Sequence, residues 1–218
     1  MKAMTRSKVG RGPKRSTYRH GDLRRALIDA GIRLAREGGP DAVVLREATR
    51  HAGVAPNAAY RHFASREDLL KAVRASALSA LAVRMESEVA KIRTGKRPAD
   101  FARASLRAVG TGYLRFAREE SGLFRVAFSG PFDAEPTADP AKAGQTGLNP
   151  FQLLGAALDR LVAAGVLTAE RRAGAEYLAW SAVHGLALLM IAGPLHRLTP
   201  AQAHAVGQRL LDVVERGL

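Results

Sequence analysis

Apolar positions recur at helical spacing along nearly the whole chain. Leu23, Leu27, Ala30 and Leu34 are spaced 4, 3 and 4 apart, which predicts one face of a helix beginning near Asp22. Gly38-Gly39-Pro40-Asp41 supplies stop and turn signals at its end. A short helix from about Leu45 to His51 stops at Gly53, and Pro56 suits the first position of another short helix reaching about Phe63. Ser65-Arg66-Glu67-Asp68 has the form of a capping box. It opens a helix through Leu69, Leu70, Val73, Ala77 and Leu81 to about Ile92.

Beyond a joint at Gly95 and Pro98, Phe101, Ser105, Val109, Tyr113 and Phe116 follow on adjacent turns to about Glu120. Gly122 to Phe128 reads as a short helix, followed by a loop of about twenty residues rich in Pro, Gly and Asp. Asn149 caps a helix whose first position is Pro150. The penultimate helix, from about Ala169, has Tyr177, Trp180, His184, Leu188 and Ile191 on one stripe and Leu178, Ala182, Gly185 and Leu189 beside it. Thr199-Pro200 opens the last helix, where Ala203, Val206, Leu210, Val213 and Gly217 are spaced 3, 4, 3 and 4. No segment alternates with period two. The pattern predicts an all-α fold of about nine helices.

Charge then narrows the partners. The 218-residue chain has a formal net charge of +14 and a pI near 11.1. Residues 1–71 hold 16 Lys and Arg against 7 Asp and Glu, so most of the excess sits in the first third of the chain. That clustering favours a polyanion, nucleic acid ahead of an anionic membrane surface. Residues 1–17 carry six basic residues and no acid, the composition of a flexible basic arm. They contain no apolar segment of the kind a secretory signal needs. With no cysteine, disulfide scaffolds and Cys-ligated metals are excluded, and a cytoplasmic setting is expected. Tyr177 to Leu195 is uncharged over nineteen residues, but its Ser, His, Gly and Pro fit a packed or interface helix better than a membrane span.

The stretch from Leu45 to Phe63, two short helices about Gly53, has helix-turn-helix arithmetic. Ala48 and Val54 are the apolar plugs between the helices. A second helix this short needs support from its neighbours, which leaves its outer face for a groove. Gly53-Val54, Tyr60-Arg61-His62-Phe63 and Ser65-Arg66-Glu67-Asp68-Leu69-Leu70 together resemble the TetR family of bacterial transcriptional repressors. The Tyr18-to-Leu23 run is similar to the entry of the first helix in one branch of that family. Trp180-Ser-Ala-Val-His184-Gly185 resembles the Trp-His-Gly class of its ligand-binding domains.

The resemblance implies a DNA-binding domain over residues 18–75 and a ligand-binding and dimerisation domain over 76–218. It makes Tyr60 and His62 DNA-backbone contacts, Phe63 a core anchor beneath them, and Arg46 a further backbone contact. Arg66 stands where the family usually has a phosphate-binding Lys. Ala55 and Asn57-Ala58 depart from the family's usual hydroxyl and Gly positions, so base preference does not transfer. By its own chemistry Asn57 either reads adenine or serves the helix start, and Arg61 either reads guanine or points to solvent.

Phe101, Tyr113, Phe116, Phe124, Phe128 and Phe132 gather in the middle helices, either as plain core or as walls of a cavity. The expected ligand-binding set is Tyr113, Phe116, Phe124, Phe128, Trp180 and His184. The last two helices are apolar over more than one face, which predicts a homodimer on a pseudo-palindromic DNA site. The six histidines show no HExxH spacing, and no GxSxG or strand-borne GxGxxG occurs. The expectation is therefore a regulator without enzymatic activity, metal or cofactor, a repressor released by a small apolar or aromatic effector. The alternative is a helical DNA-binding factor that senses no small molecule.

Overall fold

The structure, a computed structural model, describes residues 23–93, 95, 97–130 and 139–218. The basic arm, the Tyr18-to-Asp22 entry and Phe132 lie outside the described residues. Those described form ten α-helices and two 3-10 turns, with no strand among them. The helices are α1 (Leu23–Gly38), α2 (Leu45–Ala52), α3 (Pro56–Ala59), α4 (Arg66–Val89), α5 (Pro98–Glu119), α6 (Ser121–Ala127), α7 (Pro150–Ala163), α8 (Ala169–Arg172), α9 (Ala175–Ile191) and α10 (Pro200–Gly217).

The helix starts follow from local chemistry. Ser65 Oγ accepts from the Asp68 amide at 3.1 Å while the Asp68 carboxylate accepts from the Ser65 amide, the reciprocal capping box that opens α4. Asn149 with Gln152 opens α7 in the same way, and Thr199 with Gln202 opens α10. At Ala55, where no side chain can cap, α3 has none. The helix expected to reach Phe63 is α-helical only over Pro56–Ala59. A turn continues it, with the amides of His62 and Phe63 both donating to the Ala59 carbonyl at 2.9 Å.

Ten helices stand where about nine were expected because the penultimate segment breaks. Ala173 is extended and Gly174 left-handed (φ 74°), separating α8 from α9. In α10 only one side docks. Its buried residues are Ala203, Gly207 and Leu211, whereas Val206 and Val213 from the 3-4-3-4 stripe face outward. The reason lies on α5. Leu211 fills the space left by Gly110, and Leu114 closes on Gly207, so small residues decide which side of α10 docks.

One helix spans the molecule. The 24 residues of α4, about 36 Å long, pack first against α1 and then against α5 and α6. Val73 and Leu69 meet α1 at Gly31. Further along, a Cβ at Gly112 of α5 would lie 2.6 Å from the Met85 Cα, so α4 and α5 are in backbone contact there. The buried core is continuous from Leu27 to Leu218, and α4 passes residue 75 without a break.

Candidate nucleic-acid interface and ligand cavity

Gly53 ends α2 in the left-handed region (φ 69°, ψ 29°), its amide donating to the Arg50 and Thr49 carbonyls. This turn sets α3 across α2. Ala48, Ala59 and Phe63 are buried beneath it, and Val54 packs partly against the core. The Arg24 guanidinium lies 5.4 Å from the centre of the Phe63 ring. Above this floor Asn57, Tyr60, Arg61 and His62 are exposed, Tyr60 at 59%. Arg46 is exposed near the start of α2. A tyrosine so exposed beside a buried phenylalanine is presented outward by the turn, since it gains little from packing. Arg66 is exposed too, but Nε donates to the Val43 carbonyl at 2.9 Å and Nη2 to the Pro40 carbonyl at 2.6 Å.

Between α5, α7, α9 and α10 lies an apolar cavity of ≈ 40 Å³. Of the residues the sequence singled out, Tyr113, Phe128 and Trp180 line it. Phe124 and His184 stand behind that wall. Phe124 meets Tyr113 edge-on at 5.4 Å between ring centres, and the His184 ring lies 4.9 Å from that of Phe128. Phe116 is buried further along α5 and does not line the cavity, and Phe101 is partly exposed at the helix start. Phe151, in the first turn of α7, lines the cavity and meets Trp180 edge-on at 5.7 Å. The sequence reading missed it; an aromatic just after a capping Asn-Pro pair was the available signal. Among the described residues Arg107 is the one charged side chain in the lining.

The polar atoms of Tyr113, Trp180 and His184 bond one another. Trp180 Nε1 donates to the Tyr113 hydroxyl at 3.2 Å, and that hydroxyl lies 2.7 Å from His184 Nδ1. Burial pushes the Tyr113 phenol up and the His184 imidazole down, which keeps both neutral. In that state Tyr113 donates to Nδ1 and accepts from Trp180, so its hydroxyl is paired on both sides.

On the far side, α9 buries Ala175, Ala179, Val183, Leu186 and Ala187 and exposes Tyr177, Leu178, Leu188 and Leu189. Val206 and Val213 of α10 are exposed as well, Val213 at 61%. Among the described residues no helix is long and apolar enough to cross a membrane, and no His, Cys, Asp or Glu group is arranged to hold a metal.

Comparison with known proteins places these features. Residues 27–73 match the bacterial regulatory proteins of the tetR family, and residues 106–214, half of the chain, match a tetracyclin repressor-like C-terminal domain. The HTH-type transcriptional regulator BetI of Rhizobium meliloti (strain 1021) is 35% identical over 100 residues, which span 46% of this chain and 44% of that protein. A Rhodococcus sp. RHA1 protein of unknown function has a similar structure (TM-score 0.71, 26% identity, 94% of this chain and 99% of that one). The transcriptional regulator FadR of Bacillus subtilis, solved with stearoyl-CoA, shares the fold at 16% identity (TM-score 0.63, 89% of this chain and 98% of that one).

Proposed function

Because the chain belongs to the tetR family of bacterial regulatory proteins, we propose that it is a repressor that leaves its operator when a small apolar or aromatic molecule enters the cavity. The observation that carries the DNA-reading part is the turn that presents Tyr60, Arg61 and His62 to solvent above buried Phe63. Tyr60 and His62 bond phosphate oxygens while their rings pack on sugars, Arg46 neutralises phosphate, and Asn57 and Arg61 face base edges. Residues 18–75 form the DNA-binding domain, residues 76–218 the sensing and dimerisation domain, and the protein works in the cytoplasm.

Two copies join through the outward faces of α9 and α10, where Leu178, Leu189, Val206 and Val213 are exposed. The cavity supplies the switch. At ≈ 40 Å³ it is far below the roughly 300–1,000 Å³ of a filled ligand pocket, so an effector has to push its walls apart. The cavity and the DNA-reading unit share α4, since Met85 lines the first and Ser65 to Asp68 open the helix beside the second. An effector that binds only the expanded state therefore shifts the population away from the DNA-bound form. The small cavity is equally what a DNA-binding factor without an effector would have.

The test is footprinting upstream of the protein's own gene, followed by effector titration with Trp180 fluorescence and operator affinity read together. Typical coupling would weaken operator binding about 5- to 150-fold. A compound that changes Trp180 fluorescence and leaves DNA affinity untouched would remove the switch and leave only a pocket.

A further inference from the structure

From the two bonds of its guanidinium we infer that Arg66 is a positioning residue, the clasp that holds the helix-turn-helix in the geometry that reads DNA. The inference rests on the reading that the Tyr60-to-His62 turn meets DNA.

The chain between Val43 and Arg66 contains α2, the Gly53 turn, α3 and the exposed reading residues. Its two ends meet at one side chain, because Arg66 Nε donates to the carbonyl of Val43 and Nη2 to that of Pro40. A single guanidinium thus closes the loop that carries the interface. Both ends of the clasp are fixed independently. The Val43 side chain is fully buried, and the capping box between Ser65 and Asp68 sets the backbone of Arg66.

The loop needs such closure. The helical part of α3 is four residues, it has no side-chain cap, and below it only Ala59 and Phe63 are anchored in the core. Its orientation therefore depends on how the loop ends are held as well as on the Gly53 turn. Nothing in this geometry requires a phosphate, since the acceptors are neutral carbonyls. It does require a planar fork that spans two of them, which Arg has and Lys lacks.

Arg66→Lys separates the two roles, because it keeps the charge and loses the fork. If Arg66 served only as a cation for phosphate, Arg66→Lys would bind like wild type. Arg66→Ala would then lose operator and random DNA alike, with a salt dependence shallower by about one unit. As a clasp, Arg66→Lys weakens operator binding about tenfold, leaving random-DNA affinity and salt dependence at wild-type values.

The experiment uses the full chain, with operator and random-sequence duplexes titrated across a salt series. Amide exchange at His62 and Phe63, whose amides bond the Ala59 carbonyl, is measured in parallel. Faster exchange there in Arg66→Lys, with Trp180 fluorescence and melting unchanged, is the expected result. Wild-type operator affinity and exchange in Arg66→Lys overturn the clasp while leaving the regulator intact. A wild-type protein that binds no duplex overturns the DNA-reading premise itself.

Discussion

The Tyr113 hydroxyl lies 2.7 Å from Nδ1 of His184, so α5 and α9 are joined by a buried hydrogen bond directly behind the cavity wall. Trp180 donates to the same hydroxyl, so the Tyr113 oxygen and the Trp180 indole N–H on the cavity wall are already paired with each other. An apolar effector can lie against this wall without breaking it. A polar one that bonds Tyr113 or Trp180 has to open the relay, leaving a buried donor or acceptor unmet at a cost of about 1–3 kcal/mol.

The same relay predicts a pH dependence. Burial holds the His184 pKa below the ordinary histidine value, so the unfolded chain binds more protons at this ring than the folded protein does. Stability from the neutral ring is complete above the unfolded value of about 6.5 and declines as pH falls toward the folded one. His184→Phe should lose the Tyr113 bond yet show a flatter melting-temperature profile between pH 8 and pH 5. Parallel profiles for the two proteins would mean that His184 is not the titrating group.

At the DNA face, Tyr60→Ala combined with His62→Ala should nearly abolish operator binding with no change in melting temperature, since both side chains are exposed. Arg46→Ala should weaken operator and random duplex similarly and reduce the salt slope by about one unit. Footprints like wild type from the double variant would show that another surface reads the DNA.

Much of this interface was legible in the sequence because its determinants are local. Gly53 specifies a left-handed turn, Ser65 and Asp68 a capping box, and each acts within a few residues of itself. The face that α10 buries was not legible. Val206, Leu210 and Val213 make the larger stripe, yet Ala203, Gly207 and Leu211 dock, because the fit depends on Gly110 and Leu114 a hundred residues earlier. The break at Gly174 was hidden because good helix formers flank it, Ala-Glu-Arg-Arg-Ala before it and Ala-Glu-Tyr-Leu-Ala after it. Phe116 was grouped with the cavity by aromatic clustering alone. Which aromatics face a void depends on how α5, α7, α9 and α10 cross, which spacing along one of them does not encode.

The outward stripe has a measurable consequence. Val213 is largely exposed, whereas Leu210 also packs against the core, so an arginine at 213 disturbs the surface without opening the interior. Val213→Arg should convert a dimer to monomer in sedimentation and lower operator affinity together, because a monomer engages only one half-site. Monomeric wild type at micromolar concentration would remove the dimer from the proposal.

Glu86 offers the last test, on the segment that leads into the cavity wall. Its carboxylate accepts from the Gln145 amide at 2.8 Å, the Thr146 amide at 2.9 Å and the Thr146 hydroxyl at 2.6 Å. Two turns earlier on α4, Ser79 donates to the Ala143 carbonyl at 2.6 Å. The strap from Ala143 to Leu148 is thus tied to α4 just before Pro150 and Phe151 enter the cavity lining. Burial works against the Glu86 charge, but the three donors outweigh it and hold the pKa below the usual carboxylate value. The strap's contribution is therefore complete above the ordinary value of about 4.3 and fades as pH drops through the folded one. Glu86→Gln presents an amide N–H₂ where an acceptor is needed, and should lose about 1–2 kcal/mol at pH 7, converging with wild type in acid. Amide exchange at Gln145 and Thr146 should quicken in the variant while that of α9 does not. Equal stability of the two proteins across the whole pH range would show that the strap is held by its packing and not by the carboxylate.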